Sequence, residues 1–146
     1  MGLNRMLFKN SKKDDFILYL ERTIETFKDD NIDSIGDYAF AHCSSLTSID
    51  VSNVTSIGSN AFDSCSSLTS IYLPNVTSIG TDAFYNCTSL TSIDLPNVTS
   101  IGSNAFKNCS SLTSMHFAAK NKETIEKLSG YSSKFGATKA TIYFDL

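Results

Sequence analysis

"NVTSIGSNAFDSCSSLTSIYLP", residues 53–74, is followed at once by "NVTSIGTDAFYNCTSLTSIDLP", residues 75–96. The same 22-residue phrase stands on either side of this pair, at 31–52 and 97–118, so four copies tile without a gap. Phe40, Phe62, Phe84 and Phe106 form one column; Cys43, Cys65, Cys87 and Cys109 form another. Leu46, Leu68, Leu90 and Leu112 form a third, and Gly36, Gly58, Gly80 and Gly102 a fourth. A strict period of this length makes each copy one coil of a solenoid, because one coil cannot bury its own apolar residues and must stack on its neighbours.

Within a coil, "LTSIYLP" alternates as a strand does, with Ile71 and Leu73 inward and Ser70 and Tyr72 outward. Equivalent strands of successive coils are expected to pair in parallel, about 4.8 Å apart. "NVTSIG" reads as a second, shorter extended piece with Val54 and Ile57 inward. The glycine after it is expected to permit a backbone turn that a Cβ would hinder. "SNAFDSC" then reads as a helical or 3₁₀ turn that carries Ala and Phe into the core. The expected class is an α/β solenoid.

A bare coil leaves unpaired strand edges, so both ends need covers. Residues 1–30 contain a degenerate coil: Ile24 and Phe27 fall on the Leu46 and Ile49 columns, and Leu18 on the Phe40 column. Residues 119–146 read as a second cap. There "NKETIEKLSG" suggests a short helix with Asn121 as N-cap, Ile125 and Leu128 on one face, and Gly130 as the stop. "YSSKFGATK" reads as loop, and "ATIYFDL" as a closing strand.

Composition narrows the function classes. Charged residues are 18% of the 146, below the usual share of about 25%. Ser, Thr and Asn fill the gap, which points to uncharged polar ladders. A net charge of −3 without a basic cluster argues against nucleic acid. No window nears the roughly 20 apolar residues of a membrane span. The charges Lys9, Lys12, Lys13, Asp14 and Asp15 follow the only short apolar piece near the start, opposite to the order in a secretory signal.

The four cysteines recur at the solenoid period rather than at the two-to-four-residue spacing of zinc sites. They are expected to be buried free thiols in one inward row, with no metal and no cofactor. His116 and Asp94 share a column, and with Ser92 or Ser114 they evoke a hydrolytic triad. A regular sheet offers neither a strained elbow nor an oxyanion pocket, so the chain reads as no enzyme. His42 is expected on a turn at the surface, and the Phe column in the core.

"L-T-S-I-x-L-P-x-V-T-S-I-G-x-x-A-F-x-x-C-x-S-L" resembles the BspA-type (treponemal) leucine-rich repeat across residues 31–118. The resemblance implies a right-handed, curved coil with its parallel sheet on the concave face. It implies a surface adhesin or binding protein, or a phage or prophage protein of a tail or host-attachment structure. The short chain without a signal-like start favours the phage-tail (virion) setting, with the bacterial cell surface as the alternative. Implied partners are a protein or glycan on a bacterial surface, or neighbouring virion proteins; tail-attached members are often homo-oligomers.

Columns that pack must agree, whereas columns that face water are free to vary. On the strand face the varied column is Asp50, Tyr72, Asp94, His116, flanked by Ser48, Ser70, Ser92 and Ser114. These eight residues are the candidate ligand-binding set. Tyr72 and Tyr85 are amphipathic aromatics of the kind favoured at binding surfaces. The turn pairs, such as Asp37–Tyr38 and Ser59–Asn60, vary as well and offer a second candidate face.

Overall fold

Each copy of the repeat forms one turn of a coil, and the turns lie in register. The computed structural model describes residues 23–146. In chain order the strands are β1 (Thr26–Lys28), β2 (Ser34–Ile35), β3 (Ser48–Asp50), β4 (Ser56–Ile57), β5 (Ser70–Tyr72), β6 (Ser78–Ile79), β7 (Ser92–Leu95), β8 (Ser100–Ile101), β9 (Ser114–Phe117) and β10 (Thr141–Tyr143). All the pairs are parallel. Partners such as Ile49↔Ile71 and Ile57↔Ile79 lie 22 residues apart, so the sequence period is the structural period.

The core is the set of stacked columns. Phe40, Phe62, Phe84 and Phe106 are fully buried, with successive ring centroids 5.1–5.3 Å apart and planes within 6° of parallel. The leucine and cysteine columns are buried beside them. The thiols are free, and those of Cys65, Cys87 and Cys109 each donate to a phenylalanine carbonyl of the preceding coil at 3.0–3.1 Å. A buried polar atom thus finds a partner without leaving its row.

The "SNAFDSC" segment is not helical. Asn60 and Ser64 sit at positive φ, as do Tyr38, His42, Asp82, Asn86, Asn104 and Asn108 at the equivalent places. Alternate N–H groups of this turn point along the solenoid: those of Asn60, Phe62 and Ser64 reach the carbonyls of Thr81, Ala83 and Tyr85 at 2.7–3.0 Å. A helix would have consumed these donors internally, whereas the left-handed residues free them to join coil to coil. The repeats therefore carry no helix among the described residues. Among the described residues the α-helix is α1 (Lys122–Glu126), which follows the last of the four close copies.

The glycine column also has a different cause from the one expected. Gly58, Gly80 and Gly102 are not at positive φ. A Cβ on Gly80 would instead lie 2.6 Å from the carbonyl carbon of Gly58. The requirement is close approach of one coil to the next.

At the C-terminal end, Asn121 makes no side-chain cap for α1. Its amide reaches back to the Val98 carbonyl at 3.5 Å, as Asn53, Asn75 and Asn97 reach Asp30, Ser52 and Pro74 at 2.6–2.7 Å. The segment expected as loop is a tight turn, Tyr131–Gly136, with Lys134 and Phe135 left-handed. Phe135 is fully buried, and its carbonyl takes the Phe106 N–H at 2.9 Å, the place the next coil would have filled. Strand β10 pairs with β9. At the other end β1 pairs with β3, and Phe27 meets the edge of the Phe40 ring at 5.1 Å. The Leu18 assignment lies outside the described residues.

Candidate functional site

The longer strands do not form one continuous sheet. They form two: β1–β3–β5 and β7–β9–β10. The shorter strands run unbroken as β2–β4–β6–β8. The interruption falls between the second and third coils, on the strand face alone.

Its anatomy shows in the rungs. The N–H groups of Thr47, Thr69, Thr113 and Thr141 each donate to a carbonyl one coil back, on Glu25, Thr47, Thr91 and Thr113, at 2.7–3.0 Å. No such bond joins the N–H of Thr91 to Thr69. The threonine hydroxyls repeat the pattern: Thr47 to Glu25, Thr69 to Thr47 and Thr113 to Thr91, with the same step missing. On either side of the gap the two coils stay fastened. Ser89 Oγ donates to the Ser66 carbonyl at 2.7 Å, and Asn97 Nδ2 to the Pro74 carbonyl at 2.6 Å. The result is a bounded window in the sheet, opening on a cleft of about 480 Å³. Ile71 at its rim is only half-buried, whereas Ile49 and Ile93 of the same column are buried.

The eight candidate residues lie along this face and fall into three groups. Asp50 is engaged: Lys28 Nζ donates to Oδ2 at 2.7 Å. That hydrogen bond, with the charges of Asp30 and Asp50, raises the Lys28 ammonium above its usual value. Ser48 is half-buried nearby. At the other end His116 Nδ1 contacts Asp145 Oδ1 at 2.9 Å, and its ring stacks on Tyr143 at 4.9 Å. The His116–Asp94 hydrogen bond that their shared column allows is not made; the residues after β10 bring the Asp145 carboxylate to the histidine instead. Ser114 Oγ donates to Ser92 Oγ at 3.0 Å. The middle of the column is left: Tyr72, 57% exposed, and Asp94, exposed and without a side-chain partner. Both line the window, together with Ser70 and Ser92.

Sequence reasoning missed the rest of the cleft. Thr69 and Leu73 of the second coil line it, as do Pro74, Pro96 and Leu146. One signal was available: Pro74 and Pro96 occupy the place held by Ser52 and Ala118 in the outer coils. Only the two coils that flank the opening end in proline. Among the described residues no cluster of His, Cys, Asp and Glu is arranged to hold a metal ion, and no helix is long and apolar enough to cross a membrane.

Residues 18–134 match the family model described as the BspA type leucine rich repeat region, in six copies. The chain belongs to the BspA-type leucine-rich repeat family. The six copies extend beyond the four close ones on both sides. Two solved structures are similar at 27% identity and a TM-score of 0.66. One is a leucine rich cell surface protein from Faecalibacterium prausnitzii A2-165, matched over 82% of this chain and 31% of its own. The other is the T. pallidum leucine rich repeat protein, matched over 83% of this chain and 55% of its own. This chain thus spans about a third and about half of those two proteins. No curated protein matches.

Proposed function

We propose that this chain is a non-catalytic recognition module whose strand face binds a protein or glycan at a bacterial surface. The supporting observation is the division of labour along one column. Asp50 and His116 are tied down by partners within the chain, while Tyr72 and Asp94 stand open on the two sides of the only break in the ladder of longer strands among the described residues. A rigid scaffold carrying an exposed aromatic beside an unpaired carboxylate is suited to recognition. Of the two settings the family resemblance implies, the cell-surface relative favours a bacterial surface over a phage tail.

The test is attachment of the purified, fluorescently labelled chain to fixed cells of the producing species and its neighbours. The double variant Tyr72→Ala/Asp94→Ala should lose attachment while its far-UV circular dichroism and melting stay unchanged. Undiminished attachment by this variant would move the contact face to the turns. Recovery of the chain in purified phage particles, rather than by surface proteolysis of intact cells, would favour the virion setting.

A further inference from the structure

We infer that the window between β5 and β7 is a saccharide-binding cleft, selective for neutral or amino-bearing sugars over acidic ones. The inference rests on the recognition reading above and names the ligand class for its centre.

Three observations carry it. The first is the state of the rims. The Thr91 N–H and hydroxyl and the Thr69 carbonyl, which the repeat pairs at its other steps, are not bonded to each other, and Thr69 and Ser92 line the opening. Backbone polar groups seek partners, and a polyol supplies hydroxyls that both donate and accept. The second is the lining. Tyr72 offers an exposed ring face on which the C–H face of a pyranose can stack, and Asp94 offers a carboxylate that can accept from two vicinal hydroxyls. Ser70 and Ser92 add hydroxyls on the two sides. Among the described residues Asp94 is the only charged side chain lining the cleft, so an anionic sugar would meet repulsion and an ammonium would not. The third is size. A volume of about 480 Å³ lies within the ~300–1,000 Å³ typical of small-molecule sites.

The clamps at its ends argue against the other occupant that open strand edges invite. Ser66 is bonded to Ser89 and Pro74 to Asn97 at 2.6–2.7 Å just outside the window. The rings of Phe62 and Phe84 hold the same two coils 5.1 Å apart behind it. These contacts close the opening at both ends and behind it, so a strand laid in the plane of the sheet could not continue past either end. A sugar ring seated across the opening needs no continuation at either end.

The experiment is ligand-observed NMR and calorimetry on the whole chain with mannose, galactose, glucosamine and N-acetylglucosamine, and with sialic acid as the acidic comparator. At least one neutral or amino sugar should bind, and sialic acid should bind about tenfold more weakly or not at all. Asp94→Asn and Tyr72→Phe/Ala pairs separate the charge from the ring: Asp94→Asn and Tyr72→Ala should each weaken binding about tenfold or more, and Tyr72→Phe little. In the free protein the Thr91 amide should exchange with deuterium much faster than the Thr113 amide, and slow on adding sugar. Equal protection of the two amides without sugar would mean the window is closed, and would overturn the inference. So would the absence of binding by every sugar, binding untouched by Asp94→Asn and Tyr72→Ala, or preference for sialic acid. Cell attachment that depends on Tyr72 and Asp94, with no sugar bound, would retain the recognition reading and remove this one in favour of a protein partner.

Discussion

The rings of Phe62 and Phe84 lie parallel at 5.1 Å, while Thr69 and Thr91, on the same two coils, make no rung. The second and third coils are therefore held from behind. The aromatic stack, the β4–β6 pair and the turn bonds keep the register that the front of the sheet does not.

Removing that support should be costly. Phe84→Ala deletes a fully buried ring with stacked neighbours on both sides. The expected loss is about 3–5 kcal/mol, read as a drop in the urea midpoint. Tyr85→Ala, next in sequence but half-buried on a turn, should cost well under half as much. Equal losses would contradict the assignment of the phenylalanine column to the core.

Gly80→Ala tests the close approach of coils. The added methyl would sit 2.6 Å from backbone atoms of Gly58 and Ser59, which cannot swing aside as a side chain would. We expect about 2–3 kcal/mol of destabilisation from overpacking, seen in thermal melts. A change smaller than about 0.5 kcal/mol would show that neighbouring coils stand further apart than described.

Asn97→Ala should cost more than Asn75→Ala, although both amides donate to a carbonyl of the preceding coil at 2.6–2.7 Å. Each lost bond is worth about 1 kcal/mol. Asn97, however, fastens the one step whose strand rungs are missing, and it is partly buried where Asn75 is exposed. Chemical denaturation of the two variants side by side measures the difference. Faster exchange of the amides around Leu73 and Asp94 in Asn97→Ala would locate it at the window.

The buried cysteine row makes stability fall in alkali. The Cys87 thiol is held well above its ordinary range, chiefly by the neighbouring Cys109 thiol and further by burial. Above the ordinary value of 9.0 the unfolded chain releases this proton while the folded chain keeps it. The unfolded state then binds fewer protons, so unfolding becomes easier as pH rises. The contribution is intact below that value and declines steadily above it until the folded thiol itself ionises. Urea midpoints from pH 7 to 10 should show the decline, and Cys87→Ala, whatever its effect at neutral pH, should reduce the slope. The native thiols should react with a thiol reagent only as fast as the chain opens.

Much of the scaffold was legible because the repeat declares it. Phe62, Cys65 and Leu68 recur every 22 residues, so identical side chains at one coil height share one environment, and for apolar side chains that environment is the core. Single positions within the turn were less legible. Asn60 and Ser64 look compatible with a helix, yet their left-handed conformations serve bonds to the next coil that no local propensity registers. Asn121 looks like a helix cap, but its amide is drawn to Val98, a residue brought near only by coiling.

The sequence by itself determined the period, the inward columns and the outward row from Asp50 to His116, because packing forces repetition and solvent does not. Only the tertiary structure decided which of those outward residues remain available. Lys28 and Asp145 come from outside the four close copies and occupy the two ends of the row. Nearly identical second and third coils part along a single strand, so the opening between β5 and β7 is a relation between coils rather than a property of either one.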